Sequence, residues 1–142
     1  LFALSDIISL HCPLTSDTYH IINKQSIDKM KNGVYIINTS RGSLIDSSAL
    51  LDGIMSEKIG GACLDVYEEE TDIFHEDYSD TIIKDDLLLR LISMPNVIVT
   101  SHQGFFTKEA LQSIASTTLQ NIDDYANGRV LKNQVFVKKI KT

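Results

Sequence analysis

Four groups of reactive side chains each follow directly on a short apolar run. His11-Cys12-Pro13 follows Ile7 to Leu10, and Asn38-Thr39-Ser40-Arg41-Gly42 follows Val34 to Ile37. Asp65-Val66-Tyr67-Glu68-Glu69-Glu70 follows Ala62 to Leu64, and Thr100-Ser101-His102-Gln103 follows Val97 to Val99. If the runs are parallel strands, these groups lie where open α/β sheets bind ligands, at the carboxyl ends. Arg41 offers a planar fork of donors able to hold a small carboxylate in two hydrogen bonds. His102 has an imidazole, the side chain best suited to exchange a proton with a carbinol oxygen. A carboxylate at Glu70 could orient that imidazole and favour its protonated form. Together the three suit reduction of a 2-keto acid, with a hydride donor that the protein must bind rather than supply.

Taken singly, each residue has a plainer use. Arg41 serves equally well as a loop arginine in a surface ion pair. Glu70 sits in a run of acids that can simply be solvated, and His102 can be a satisfied loop histidine. Asp65 directly after a strand suits a cap or turn. Their joint placement at strand ends is what favours chemistry. His11, His20 and His75 share no ligand spacing, so no metal is expected. Phe105-Phe106 reads as packing at a helix start, or as a pocket wall if a substrate lies beside His102.

The elements that must position these groups alternate in type. The four apolar runs read as fully buried strands. Ile21 to Met30 carries a short helical pattern closed by Asn32-Gly33, and Asp46 can cap a helix over Ser47 to Lys58 that Gly60-Gly61 ends. Val66 to Ile83 is acidic and irregular, and a loop that long is usually functional. Asp85-Asp86 opens a helix through Leu91 and Ile92, stopped before Pro95. Leu111, Ile114, Ala115, Thr118, Leu119, Ile122 and Tyr125 make one face of a helix from about Thr107 to Ala126, ended by Asn127-Gly128. Strands alternating with helices predict a doubly wound α/β parallel sheet.

Bulk properties narrow the partners. With 43% apolar and 23% charged residues in 142, the chain can bury a core. A net charge of −6 leaves no basic footprint for nucleic acid or anionic membranes. The apolar runs fall far short of the roughly 20 residues of a membrane helix. Cys12 and Cys63 lack metal or CxxC spacing and read as reduced thiols, which points to a cytoplasmic protein. The opening Leu1-Phe2-Ala3-Leu4-Ser5-Asp6 reads as a helix end running into a strand, so the chain is expected to begin within a fold.

Three stretches carry a family resemblance: Ser5-Asp6-Ile7-Ile8-Ser9-Leu10-His11-Cys12-Pro13-Leu14-Thr15, Ile37-Asn38-Thr39-Ser40-Arg41-Gly42-Ser43-Leu44-Ile45-Asp46 and Leu64-Asp65-Val66-Tyr67-Glu68. In combination they resemble the D-isomer-specific 2-hydroxyacid dehydrogenases, over nearly the whole chain. The resemblance implies a Rossmann-like NAD-binding domain and a catalytic trio: Arg41 on the substrate carboxylate and carbonyl, His102 as proton donor and acceptor, Glu70 supporting His102. It implies cofactor contacts at Cys12, Pro13, Thr18, Thr39, Ser40, Arg41 and Asp65, and a substrate pocket at Arg41, His102 and Phe105. Ser101-His102-Gln103-Gly104-Phe105-Phe106-Thr107 and the acidic Asp72 to Asp77 are similar to the fermentative D-lactate branch, which implies pyruvate and D-lactate as the substrate pair.

The same resemblance implies a division of the chain. Residues 1–105 would form the C-terminal part of the NAD-binding domain, and 106–142 a long helix and return segment toward a substrate domain. It implies a homodimer in the full-length protein. The sequence contains no G-x-G-x-x-G loop with an acid roughly 20 positions beyond it, so the half of the fold that cradles the pyrophosphate is expected elsewhere and the isolated chain is expected to be inactive or marginal. An NAD-sensing corepressor-type module on the same scaffold, or a related dehydrogenase with another 2-keto acid, is the alternative.

Overall fold

The computed structural model describes residues 1–69 and 85–136. They fall into two compact units, Leu1–Gly104 and Phe105–Thr142. In the first, strands β1 (Ile7–Leu10), β2 (Val34–Asn38), β3 (Ile59–Leu64) and β4 (Val97–Val99) alternate with helices α1 (Lys24–Asp28), α2 (Ser47–Met55) and α3 (Asp86–Ser93). The four strands form one parallel sheet in the order β1-β2-β3-β4. This is the Rossmann-like α/β class that the alternation predicts.

Sequential order sends successive crossovers to the same side of the sheet. Accordingly α1 packs on α2 and α2 on α3 in a single layer. Ile8, Leu10, Val34, Ile36, Ala62, Leu64 and Val97 meet that layer through Ile27, Leu50, Leu51, Ile54, Leu88 and Leu91. The opposite side chains are open: Ile7 is 61%, Tyr35 52% and Ile98 62% exposed. The strands are therefore half-buried and alternate in β1 and β2, not fully buried as their apolar runs suggest. An apolar residue on the open face looks the same in sequence as one in the core, which is why the runs misled.

The boundaries differ from the sequence reading at three places. Helix α1 is confined to five residues because Ile22 is taken up in a bridge to Ile45, after which Asn23 and Ser26 form a reciprocal capping box. Helix α2, capped by the Asp46 side chain on the Ala49 amide, stops at Met55 rather than Lys58. Gly60-Gly61 lies inside β3 and not at a helix end. A Cβ on Gly61 would meet the Asn96 carbonyl at 2.6 Å and the Tyr35 ring at 2.9 Å, so close flanking chains, not a turn, require glycine there.

Tyr67 turns inward behind β3 and donates to Asp85 Oδ2 at 2.8 Å, while Asp85 Oδ1 caps α3 by accepting from the Leu88 amide at 2.9 Å. Burial and the adjoining Asp85 carboxylate push the Tyr67 hydroxyl far above its ordinary pKa, so it stays protonated and able to donate.

In the second unit α4 runs Lys108–Ala126, capped by the Thr107 hydroxyl on the Ala110 amide and closed by Asn127 and Gly128. Its apolar stripe is exposed, with Leu119 at 67% and Tyr125 at 77%. Among the described residues no helix is long and apolar enough to cross a membrane.

Candidate functional site

Leu10, Asn38, Leu64 and Val99 pair in register across the sheet, so the reactive groups that follow them leave from one edge. Arg41 and His102 stem from strands two apart, roughly 10 Å at ordinary strand spacing. Asp65 directly follows β3, the strand between them.

The Arg41 turn is built from within by Asn38, which is 1% exposed. Its Nδ2 donates to the Arg41 carbonyl at 2.8 Å and its Oδ1 accepts from the Ser40 amide at 3.1 Å. A buried amide satisfied on both sides fixes the backbone it binds. Ser40 Oγ donates to the Cys12 carbonyl at 2.7 Å and so ties this turn to the one after β1. The guanidinium is exposed, with Nη1 on the Ser40 carbonyl at 2.6 Å. Behind the turn Gly42 is packed so closely on the next loop that a Cβ there would lie 2.0 Å from the Tyr67 carbonyl oxygen.

His102 adopts a left-handed backbone, φ 52°, rare outside glycine. Asp65 holds it there. The Asp65 carbonyl accepts from the His102 amide at 2.7 Å, and its Oδ1 accepts from the Thr100 hydroxyl at 2.5 Å and the Gln103 amide at 3.0 Å. Partial burial opposes ionisation of Asp65, but the hydrogen bonds from Thr100, Gln103 and Gly104 and the nearby His102 outweigh it and hold the carboxyl below its usual value. A carboxylate whose pKa is depressed by folding stabilises the fold above its unfolded pKa, and the contribution disappears as pH falls through the folded value. Asp65→Asn is therefore expected to lower the thermal midpoint at pH 6, and the gap to wild type is expected to close as pH drops from about 4 downward. Melting curves across that range would disprove this if the gap were constant.

The other predicted positions are distributed as follows. Cys12 is half-buried and Pro13 and Thr39 are exposed on the same edge as Arg41. Thr18 spends its hydroxyl within its own turn, donating to the Pro13 carbonyl at 2.7 Å and accepting from the Thr15 amide at 2.8 Å, so it shapes the Pro13 loop. Phe105 belongs to the second unit, where it is 52% exposed and meets Phe106 edge-on. Glu70 and the acidic stretch Asp72 to Asp77 lie outside the described residues. Two members of the strand-end groups have positioning roles that the sequence reading does not assign: Asn38 and Thr100. Asn38 was detectable as the one polar residue ending the run Val34-Tyr35-Ile36-Ile37, whereas nothing local marks Thr100.

A parallel α/β sheet with anchored, donor-rich turns along its carboxyl edge defines a nucleotide-binding domain. The chain belongs to the D-isomer specific 2-hydroxyacid dehydrogenase family, of which residues 1–104 match the NAD binding domain. It is 50% identical over 135 residues to a D-lactate dehydrogenase of Escherichia coli, covering 95% of this chain and 41% of that protein. It is 52% identical over 130 residues to an aromatic 2-oxoacid reductase of Clostridium sporogenes, covering 92% and 39%. A D-lactate dehydrogenase structure from Treponema pallidum superposes with a TM-score of 0.87 at 38% identity, over 96% of this chain and 41% of that one. The chain thus spans about two fifths of the length of these relatives.

The edge carries groups of the kinds that could hold such a cofactor. Pro13 offers an apolar surface, Thr39 an exposed side chain, and Asp65 a carboxylate able to accept from an amide.

Proposed function

We propose that the full-length protein carrying this domain is a cytoplasmic, homodimeric oxidoreductase that interconverts a 2-keto acid and a D-2-hydroxy acid, with pyruvate and D-lactate as the preferred pair. The observation that carries the reading is that Arg41 and His102 leave one edge of the sheet on turns held by hydrogen bonds: Asn38 and Ser40 hold the arginine's turn, Ser40 by bonding the Cys12 carbonyl after β1, and Asp65 after β3 holds the histidine's through Thr100, Gln103 and the His102 amide.

Arg41 holds the substrate carboxylate through paired hydrogen bonds and sets the keto group beside the nicotinamide. A dinucleotide held by this edge would supply the hydride that the keto carbon requires. His102 delivers its proton to the keto oxygen, so that the carbonyl becomes a hydroxyl, and recovers that proton in the reverse direction. Glu70 supports the imidazole as it gains and loses charge. Cys12, Pro13, Thr39 and Ser40 line the cofactor side of the same edge.

The relatives include enzymes named for lactate and for aromatic 2-oxo acids at near-equal identity, so pyruvate and phenylpyruvate form the decisive substrate panel. NADH oxidation by the full-length protein is expected with pyruvate at a kcat/KM above that for phenylpyruvate. Preference for phenylpyruvate would reassign the substrate. Tight NADH binding without turnover of either would turn the reading to an NAD-sensing binding module.

A further inference from the structure

His20 and Glu68, given no role above, join the segment after Arg41 to the one that follows β3. His20 has a left-handed backbone, φ 49°. It is locked from several directions: its amide donates to the Ser43 carbonyl at 2.9 Å, its carbonyl accepts from Asn23 Nδ2 at 2.7 Å, and Tyr19 stacks on its ring at 3.9 Å. From this posture Nε2 meets Glu68 Oε1 at 2.5 Å, with the two side chains only 25% and 20% exposed. Glu68 Oε2 accepts in turn from the Ser47 amide at 3.3 Å, where the Arg41 turn runs into α2.

We propose that His20 and Glu68 are a positioning pair that fixes the separation between the Arg41 turn and the Tyr67-Glu68 segment, and thereby the substrate carboxylate site. Three observations converge on it. The segment holding His20 pairs with the residues just after Arg41: His20 with Ser43, the Ile22 amide with the Leu44 carbonyl, and the Asp46 amide with the Ile22 carbonyl. The backbone at Tyr67 and Glu68 is pressed against Gly42, next to Arg41. Glu68 itself stands two positions before Glu70. The pair is thus the side-chain bond that closes this three-way junction, and a rare backbone conformation at His20 is retained to aim it. Neither residue is required to touch substrate or cofactor. The inference rests on the dehydrogenase reading, and its test separates the two.

The test compares wild type, His20→Ala, Glu68→Ala, Glu68→Gln and the double alanine variant in the full-length protein. KM and kcat are read with pyruvate and phenylpyruvate, the Kd of NADH by fluorescence, and the Kd of oxalate, an unreactive dicarboxylate, by calorimetry with NADH present. Small displacements of a binding group are costly, so each single alanine variant is expected to raise KM and the oxalate Kd by about tenfold or more. The Kd of NADH should stay within about twofold, the double variant should be no worse than either single, and Glu68→Gln should recover much of the loss because its carbonyl still accepts from His20. Unchanged KM and oxalate affinity in folded His20→Ala, equal weakening of NADH, or additive losses in the double variant would each overturn the proposal. An inactive wild type that still binds oxalate overturns the dehydrogenase reading alone, and the oxalate affinities of the variants then judge the pair. A wild type that neither turns over nor binds oxalate overturns both.

Discussion

Replacing His102 with alanine in the full-length protein is expected to cut kcat with pyruvate by about 10²–10⁴-fold, the range associated with loss of a positioned acid-base group. NADH affinity should be retained, because the turns carrying Pro13 and Thr39 are held by Thr18 and Asn38 rather than by His102. The left-handed backbone at this position complicates an alanine variant, since any residue placed there must tolerate φ 52°. His102→Asn is the cleaner probe: asparagine visits that region readily and preserves the turn, yet has no side chain that titrates near neutrality. Equal loss in both variants assigns the effect to the imidazole. Loss in alanine alone would assign it to the turn, and kcat within tenfold of wild type in both would remove His102 from the proton-transfer step. Asp65 makes the comparison sharp, because its bonds to Thr100, Gln103 and the His102 amide hold the same turn in wild type and variant alike.

Gly42→Ala is expected to be the most damaging conservative change to the architecture of the site. The added methyl would fall 2.0 Å from the Tyr67 carbonyl oxygen and 2.5 Å from the Glu68 amide nitrogen. Both are backbone atoms, with no rotamer by which to yield, so one loop must move. Overpacking of this kind costs about 1–3 kcal/mol, which corresponds to roughly 4–8 °C of melting temperature per kcal/mol in a domain of this size. Because the loops that must separate are those of Arg41 and Glu68, KM for the keto acid should rise as well. Gly33→Ala provides the contrast. Gly33 has φ 78° with nothing within 4 Å of an added Cβ, so its alanine variant should lose about 1 kcal/mol through backbone strain alone and leave KM unaltered. Calorimetry with steady-state kinetics on the two variants checks both expectations, and a Gly42→Ala protein with wild-type melting and KM would refute the close packing.

Features written in neighbouring residues were legible before any coordinates. The strand runs at Ile7, Val34 and Val97, the cap Asp46, the helix starts at Asp85-Asp86 and about Thr107, and the reactive types at strand ends all depend on contacts within a few positions, and the structure places each of these elements where the residues predict. The exceptions follow from the same logic. Gly60-Gly61 reads locally as a stop but serves a strand, because the demand for glycine comes from Gly33, Tyr35 and Asn96 on chains far removed in sequence. Ile22 reads locally as helix but is claimed by Ile45.

The sequence by itself determined which segments are strands and helices, the class of sheet they build, and the kinds of group that gather at its carboxyl edge. Composition and periodicity are sufficient for that, since each element satisfies its own backbone or its own face. The strand order, the single helical layer and the open opposite face were decided only in three dimensions. So were the bonds that aim the site: Asp65 to Thr100 across 35 positions, Ser40 to Cys12 across 28, His20 to Glu68 across 48. No spacing rule encodes such pairs, because they exist only after strand register has brought distant segments together, and register is set by the packing of the whole sheet.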